Sequence, residues 1–245
     1  TRGATKDSPV TLRVRSQGRE KVVTINREPE APWRSLEPAW TQSGNVGIIN
    51  LERIPNVEAF DAALVALHEA DGLVLRGIPS FAEELMRRLI SQPLPGKITE
   101  VPLAFSPDLR ETAWVRRRSS SLNPLPGKRY SRPVVVLIDG SLQSSAEGWI
   151  SALQEVGVIV CVGTPTAGAN GSVTFLHLPG GGQVRFTGMK LLHSNGSRFQ
   201  NIGVIPDVFV EPTIAGVVAG RDEVLEKGVE TVKTLIKLRS TVIPK

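Results

Sequence analysis

Ser144 and Ser145 stand between an aliphatic run, Val134–Ile138, and a helix-like stretch that opens with Ala146 and Glu147. The run of β-branched and aliphatic residues suits a strand covered on both faces, and Gly140 lets the chain turn sharply before the serines. The first turn of a helix leaves backbone N–H groups without intrahelical acceptors. A hydroxyl beside such an N–H supplies two parts of an acyl-transfer site, an attacking oxygen and a donor for the oxyanion. The same residues also have a purely structural use. A serine at the N-cap with Glu147 completing the box would tie up the end of the helix and do nothing else. Spacing alone leaves both uses open.

Composition narrows the class of protein. The chain has 245 residues, 40% of them hydrophobic, and a formal charge of +5. This is enough for one sizeable domain with an appendage. No uninterrupted apolar stretch approaches the length of a membrane span. The basic cluster of Arg116, Arg117, Arg118, Lys128 and Arg129 lacks interleaved aromatic residues, so it reads as a solvated loop and not as a nucleic-acid surface. Cys161 is the single cysteine, which excludes a disulfide within the chain. Its place in the apolar run 158–162 predicts a buried strand residue, not a nucleophile. His68, His177 and His193 are too far apart for a local metal motif, and neither metal nor cofactor is expected. The chain starts at Thr1 without an initiator Met or a signal-like segment, so it is expected to be mature, processed or cut from something longer.

The elements that must position the serines follow from periodicity. Alternation over 10–15, a turn at 16–18 and a second run over 21–25 predict a β-hairpin, which alone would be marginal in water. Residues 28–44, rich in Pro, Glu and Trp, read as a connector. Strands are predicted at 46–51, 72–75, 134–138 and 158–162, and helices at 57–69, 81–89, from Ala146 to about 155, and 221–238. The order strand, helix, strand favours an α/β layered core with parallel strands. Residues 93–132 read as a long loop bordering a groove, with one strand near 112–115. A glycine-rich hairpin turn is expected at 179–182.

Four segments resemble motifs of the S41 serine peptidases, the family of C-terminal processing and tricorn-core proteases. Gly72 to Pro79 resembles the strand and loop usually written Asp-Leu-Arg-Gly-x-Pro. Ser144-Ser145-Ala146-Glu147 resembles the nucleophile motif, and Val162 to Gly168 the strand and turn after it. Gln200 to Asp207 resembles the element Glu-x-x-Gly-x-x-Pro-Asp. The resemblance implies a ClpP/crotonase-like layered catalytic domain over 45–245. A linker over 29–44 would precede it, and residues 1–28 would be the last strands of a PDZ-like domain, left as a hairpin remnant.

By the same resemblance Ser144 is the nucleophile, the N–H of Ser145 one oxyanion donor and Gly77 the second. Family members often carry a Gly-Gly pair where this chain has Arg76-Gly77. A lysine base would fall at Ala169, which cannot accept a proton, so the Ser-His arrangement of the tricorn-like branch is the better match. Its histidine lies ahead of the PDZ domain, outside this chain, and its third member is a glutamate where this chain has Gln200. Among the visible histidines, His193 ranks first as a substitute base, because its turn lies close to Gln200 in sequence.

The implied activity is endopeptidase cleavage of extended polypeptide through an acyl-enzyme, with the isolated chain inactive. The alternative is an impaired, peptidase-like module that binds peptides without cutting them. A crotonase-type acyl-CoA enzyme would share the layered fold but lacks a matching nucleotide pocket. Polypeptide is the expected partner, with homo-oligomers or association with the missing N-terminal part also open. An extracytoplasmic location, in the periplasm or envelope, follows from the family alone.

Overall fold

The computed structural model describes residues 9–16, 18–26, 38–104, 112–127 and 129–242. Residues 28–37 of the expected connector, residues 1–8, 17 and 27–28 of the expected PDZ-like segment, residues 105–111 of the expected loop and Lys128 lie outside them. The chain divides into two units, Thr1–Pro38 and Ala39–Lys245. In the first, β1 (Val10–Ser16) and β2 (Arg19–Ile25) pair antiparallel from Val10↔Ile25 to Ser16↔Arg19. This is the hairpin that the alternation predicts.

The second unit opens with β3 (Trp40–Ser43) and β4 (Val46–Asn50), then α1 (Val57–Ala66), β5 (Gly72–Arg76) and α2 (Ala82–Leu89). Two further strands, β6 (Ile98–Ala104) and β7 (Thr112–Arg118), precede β8 (Val134–Ile138), α3 (Ser145–Glu155) and β9 (Val160–Gly163). The remainder comprises β10 (Val173–His177), β11 (Gln183–Thr187), β12 (Lys190–Leu192), β13 (Val208–Phe209), α4 (Ile214–Val218) and α5 (Glu223–Val242).

Six of these strands form one sheet in the order β13-β9-β8-β5-β4-β3, in which only β3 runs antiparallel to its neighbour. Because side chains alternate along a strand, each central strand feeds two cores. Leu73, Leu75, Val134, Val136 and Ile138 point into a core shared with Phe60, Leu85 and Trp149 from α1, α2 and α3. Val46, Val74, Val135 and Val162 point the other way, against Val232 and its neighbours on α5. The result is a mixed α/β fold, with helices on both faces of a largely parallel sheet.

The described residues of 93–132 are more ordered than a loop. β6 and β7 pair from Ile98↔Arg118 to Ala104↔Thr112, and β12 adds to β6 at Ile98, Thr99 and Glu100. Pro102 hides β6 in the sequence because proline usually argues against a strand. It is tolerated here because β12 stops at Glu100, so beyond that point one side of β6 is an edge. Arg116, Arg117 and Arg118 are thus exposed strand residues. β3 likewise falls inside the expected connector and pairs with β4 across the turn at Gly44 and Asn45.

Candidate active site

At the C-terminal end of the central strand β8, Asp139 begins a tight turn. Its Oδ1 accepts from the N–H and the hydroxyl of Ser141, at 2.7 and 2.5 Å. Three residues later Ser144 adopts φ 58° and ψ −123° and stands exposed at the head of α3. Among the described residues only one other non-glycine residue has a positive φ, Asn201 at 62°. Asparagine enters the left-handed region readily. Serine at ψ −123° lies outside it, and such a conformation costs about 1–3 kcal/mol that the surroundings must offset. A strained serine on a sharp strand-to-helix turn is the geometry of a nucleophile elbow.

Glu147 supplies much of that surrounding support. Its side chain is completely buried, yet each carboxylate oxygen accepts twice. Oε1 accepts from the Thr166 hydroxyl and the Gly168 N–H, both at 2.6 Å. Oε2 accepts from the N–H groups of Ala169 at 3.1 Å and Ser144 at 3.2 Å. Ser144 and Glu147 form the capping box that the spacing allows, so the structural role is real. The box does not account for the positive φ. Ser144 N–H also donates to the Ala169 carbonyl at 2.9 Å, which ties the elbow to the 166–170 loop. The N–H of Ser145 has no acceptor among the described residues and remains available to an incoming oxygen.

The 166–170 loop leads to the second expected site residue. Gly168 has φ 64°, and a Cβ there would lie 2.7 to 2.9 Å from the backbone nitrogens of Ile202, Asn201 and Gly203, so only glycine lets the two turns meet. Gln200, half-buried, donates from Nε2 to the carbonyls of Asn170 at 3.1 Å and Met189 at 2.8 Å. Its Oε1 accepts from Leu191 N–H at 3.1 Å. Both amide hydrogens are therefore committed, and one lone pair on Oε1 remains. Ser144, Ser145 and Gln200 are joined through Ala169 and Asn170. Gly77 is placed differently: it follows the C-terminal end of β5, which runs parallel beside β8, with φ 81°, and packs against Glu52 after β4.

None of the three histidines is bonded to the elbow. His68 Nδ1 contacts the Val65 carbonyl at 3.1 Å, and His177 lies exposed on β10. His193 Nδ1 meets Glu155 Oε1 at 2.7 Å and lies 3.3 Å from the Ser151 hydroxyl. Ser151 is about two helical turns beyond Ser144 on α3, so His193 serves a different cluster. Burial raises the Glu155 carboxyl, but the hydroxyls of Ser194 and Ser151, His193 and the Ser194 N–H together outweigh it and hold it below its usual range.

Two features escape sequence reasoning. A Cβ on Gly148 would lie 2.6 Å from Lys97 Nζ, so the ammonium rests against α3 one turn below Ser144. A glycine inside a helix, disfavoured by about 1 kcal/mol against alanine, is the signal that could have found it. The other is a cavity of about 1000 Å³, walled by the 168–170 loop and Gln200 on one side and by β6, β7, β11 and β12 on the other. Ser144 does not line it but hydrogen-bonds its wall through Ala169. Inside, Glu100 accepts from Arg116 Nε and Nη2 at 3.0 and 2.7 Å, which holds its carboxyl below the usual range. Lys190 Nζ lies 3.5 Å from Glu100 and 3.6 Å from the centre of the Trp114 ring.

Known proteins share both this sequence pattern and this fold. A protein of Chlamydia trachomatis is 31% identical over 126 residues, 50% of this chain and 21% of its own length. The carboxy-terminal-processing protease of Bartonella bacilliformis is 31% identical over 94 residues, 38% of this chain and 22% of its own. The matched stretches thus span about a fifth of these relatives. Mature CPAF superposes with a TM-score of 0.70 at 17% identity, covering 97% of this chain and 69% of that one. A peptidase of Parabacteroides merdae gives 0.65 at 19% identity over 79% of this chain and 63% of its own. At such identities the likeness is one of fold. The family model for peptidase family S41 matches residues 45–210, most of the second unit and more than half of the sequence, and the chain belongs to that family.

Proposed function

We propose that this chain carries the catalytic serine of an endopeptidase that cleaves extended polypeptide through an acyl-enzyme. Ser144 Oγ attacks the scissile carbonyl carbon while its proton passes to a base. The developing oxyanion is held by the Ser145 N–H, and the amine leaves with the base's proton. Water then releases the acyl group by the same path in reverse. Gly77 N–H is the proposed second donor, from the neighbouring strand end. The base is a histidine outside this chain, oriented through the remaining lone pair of Gln200 Oε1. Gln200 steers such an imidazole without the charge that a glutamate would add. In this reading the second unit has ClpP/crotonase-like layering, the β1–β2 hairpin closes a PDZ-like domain, and the protein works outside the cytoplasm.

The observation that carries the proposal is the exposed Ser144 at φ 58° beside a free N–H. The test is a fluorophosphonate probe on the full-length protein, mapped by mass spectrometry. A single adduct at Ser144, absent from Ser144→Ala, is the expected outcome. Peptide hydrolysis that survives Ser144→Ala would overturn it.

A second reading is favoured by the environment of Gln200, whose two amide hydrogens serve backbone carbonyls, and by the absence of a basic side chain at Ala169. Here the domain holds peptides without cutting them. It requires equal peptide affinity in the parent protein and Ser144→Ala with no turnover in either. Ser144-dependent hydrolysis excludes it.

A further inference from the structure

The cavity beside the elbow has an unequal charge balance. Among its lining residues Arg116, Lys190 and Arg198 are cationic, and Glu100 is the one carboxylate. Glu100 takes two bonds from Arg116 on Oε1 and faces Lys190 through Oε2. Arg198 stands apart from that cluster. Its Nε donates to the Gln200 carbonyl at 2.9 Å, which fixes the root of the guanidinium. Its Nη1 and Nη2 groups have no hydrogen-bond or ion-pair partner among the described residues. An exposed arginine ordinarily stays solvated, but this one is held by a backbone bond at the wall of a groove. The chain of bonds runs from Arg198 to Gln200, from Gln200 to Asn170, and from the adjoining Ala169 to Ser144. Trp114 and Phe186, 44% and 49% exposed, offer apolar faces in the same cavity. Planar guanidinium ends with spare donors match a carboxylate, and exposed aromatic faces match a bulky apolar side chain.

We propose that Arg198 is a specificity-determining residue that reads an aspartate or glutamate side chain, next to a bulky apolar residue, on the peptide bound in this groove. The inference rests on the reading that the domain holds polypeptide beside Ser144. It holds for a peptidase and for a peptide-binding module alike. Arg116 already gives two of its donors to Glu100 and Lys190 faces the same carboxylate, whereas Arg198 faces none among the described residues. Excess positive charge in the groove adds long-range attraction for acidic segments.

Binding is the direct test, because it does not require turnover. Full-length protein carrying Ser144→Ala is titrated by fluorescence anisotropy with peptides blocked at both termini. The peptides come in pairs that differ by Glu or Gln at one position, scanned along the sequence. At the matching position the Glu peptide should bind about tenfold tighter, as a charge-assisted hydrogen bond allows. Arg198→Gln should remove the difference, Arg198→Lys should keep part of it, and Arg198→Glu should turn preference toward a Lys-bearing twin. A third peptide with neutral side chains and a free C-terminus separates the two sources of carboxylate: a gain there that depends on Arg198, with none for internal Glu, would overturn the side-chain assignment. Equal Glu/Gln ratios in the parent and Arg198→Gln, or no binding by any peptide, would also overturn it. If the preference follows Arg198 but the Ser144 protein neither hydrolyses these peptides nor takes the probe, the peptidase reading fails and this one stands.

Discussion

At the scale of single residues, the decisive group is the carboxylate of Glu147. It is buried without a cationic partner among the described residues, a placement that survives only because four donors converge on it. Three of the four come from the 166–169 loop and the fourth is Ser144 N–H itself. The residue therefore sets where the elbow sits relative to the loop. In Glu147→Gln one acceptor becomes an NH2 group, which faces the Gly168 N–H at the Oε1 position or the Ala169 and Ser144 N–H groups at Oε2, so at least one buried donor loses its acceptor and donors confront each other. The expected cost is about 2–4 kcal/mol, from the penalty for buried unsatisfied groups. Urea unfolding should show this as a lower midpoint with an unchanged m-value. The same variant should take up the fluorophosphonate probe at Ser144 more slowly even where it is fully folded. A residue that only capped the helix would not produce that second effect.

At the scale of elements, α3 presents two polar stations on its length, with Ser144 at its head and Ser151 and Glu155 near its end. The lower station clips the 193–197 turn to the helix. Glu155 accepts from Ser194 N–H at 3.0 Å and from the Ser194 hydroxyl, as well as meeting His193. Its carboxyl is held below the ordinary value of 4.5, with burial opposing and the hydrogen bonds prevailing. The sign follows from linkage: the folded state favours the ionised form. This contribution is present above about pH 4.5 and is lost as pH falls through the lowered folded value. Glu155→Gln should be less stable than the parent at pH 7, and the gap should close as pH drops below 4.5. Chemical denaturation across pH 3 to 7, with ~1 unit steps, reads this directly. A gap independent of pH would show that packing, not the charge, holds the turn.

The same elements show what a sequence can disclose. The Ser144–Glu147 pair, the Val134–Ile138 strand and the β1–β2 hairpin were legible because each depends on neighbours within a few residues. β6 was hidden by Pro102, whose meaning depends on where β12 ends, and that is a tertiary fact. The Thr166 hydroxyl, the Lys97 ammonium and the groove around Arg198 were hidden for a similar reason. They meet their partners only after segments tens of residues apart fold together, and no local period marks them. His193 illustrates the opposite error. Its closeness to Gln200 in the chain suggested a shared site, but the fold turns it toward Glu155.

At the scale of the whole molecule, the family match and the folding unit have different limits. The S41 model covers residues 45–210, whereas one face of the four central strands, β9, β8, β5 and β4, is covered by α5, residues Glu223–Val242. Val46, Val74, Val135 and Val162 are buried on that face, and Val232 of α5 is completely inaccessible among them. Fully burying a valine is worth about 1.5 kcal/mol or more. Exposing four would remove roughly as much as the 5–15 kcal/mol that holds a typical domain together. The uncovered face would also be an apolar patch across four adjacent strands, which favours self-association. A protein ending at residue 212 should therefore lack a cooperative thermal transition and sediment as aggregates, although it retains every residue proposed for chemistry. Val232→Ala in the intact chain should cost about 1–3 kcal/mol and leave probe labelling at Ser144 unchanged in the folded fraction. If the shortened protein instead folds as a stable monomer, α5 is an accessory and the sheet must find its second core elsewhere.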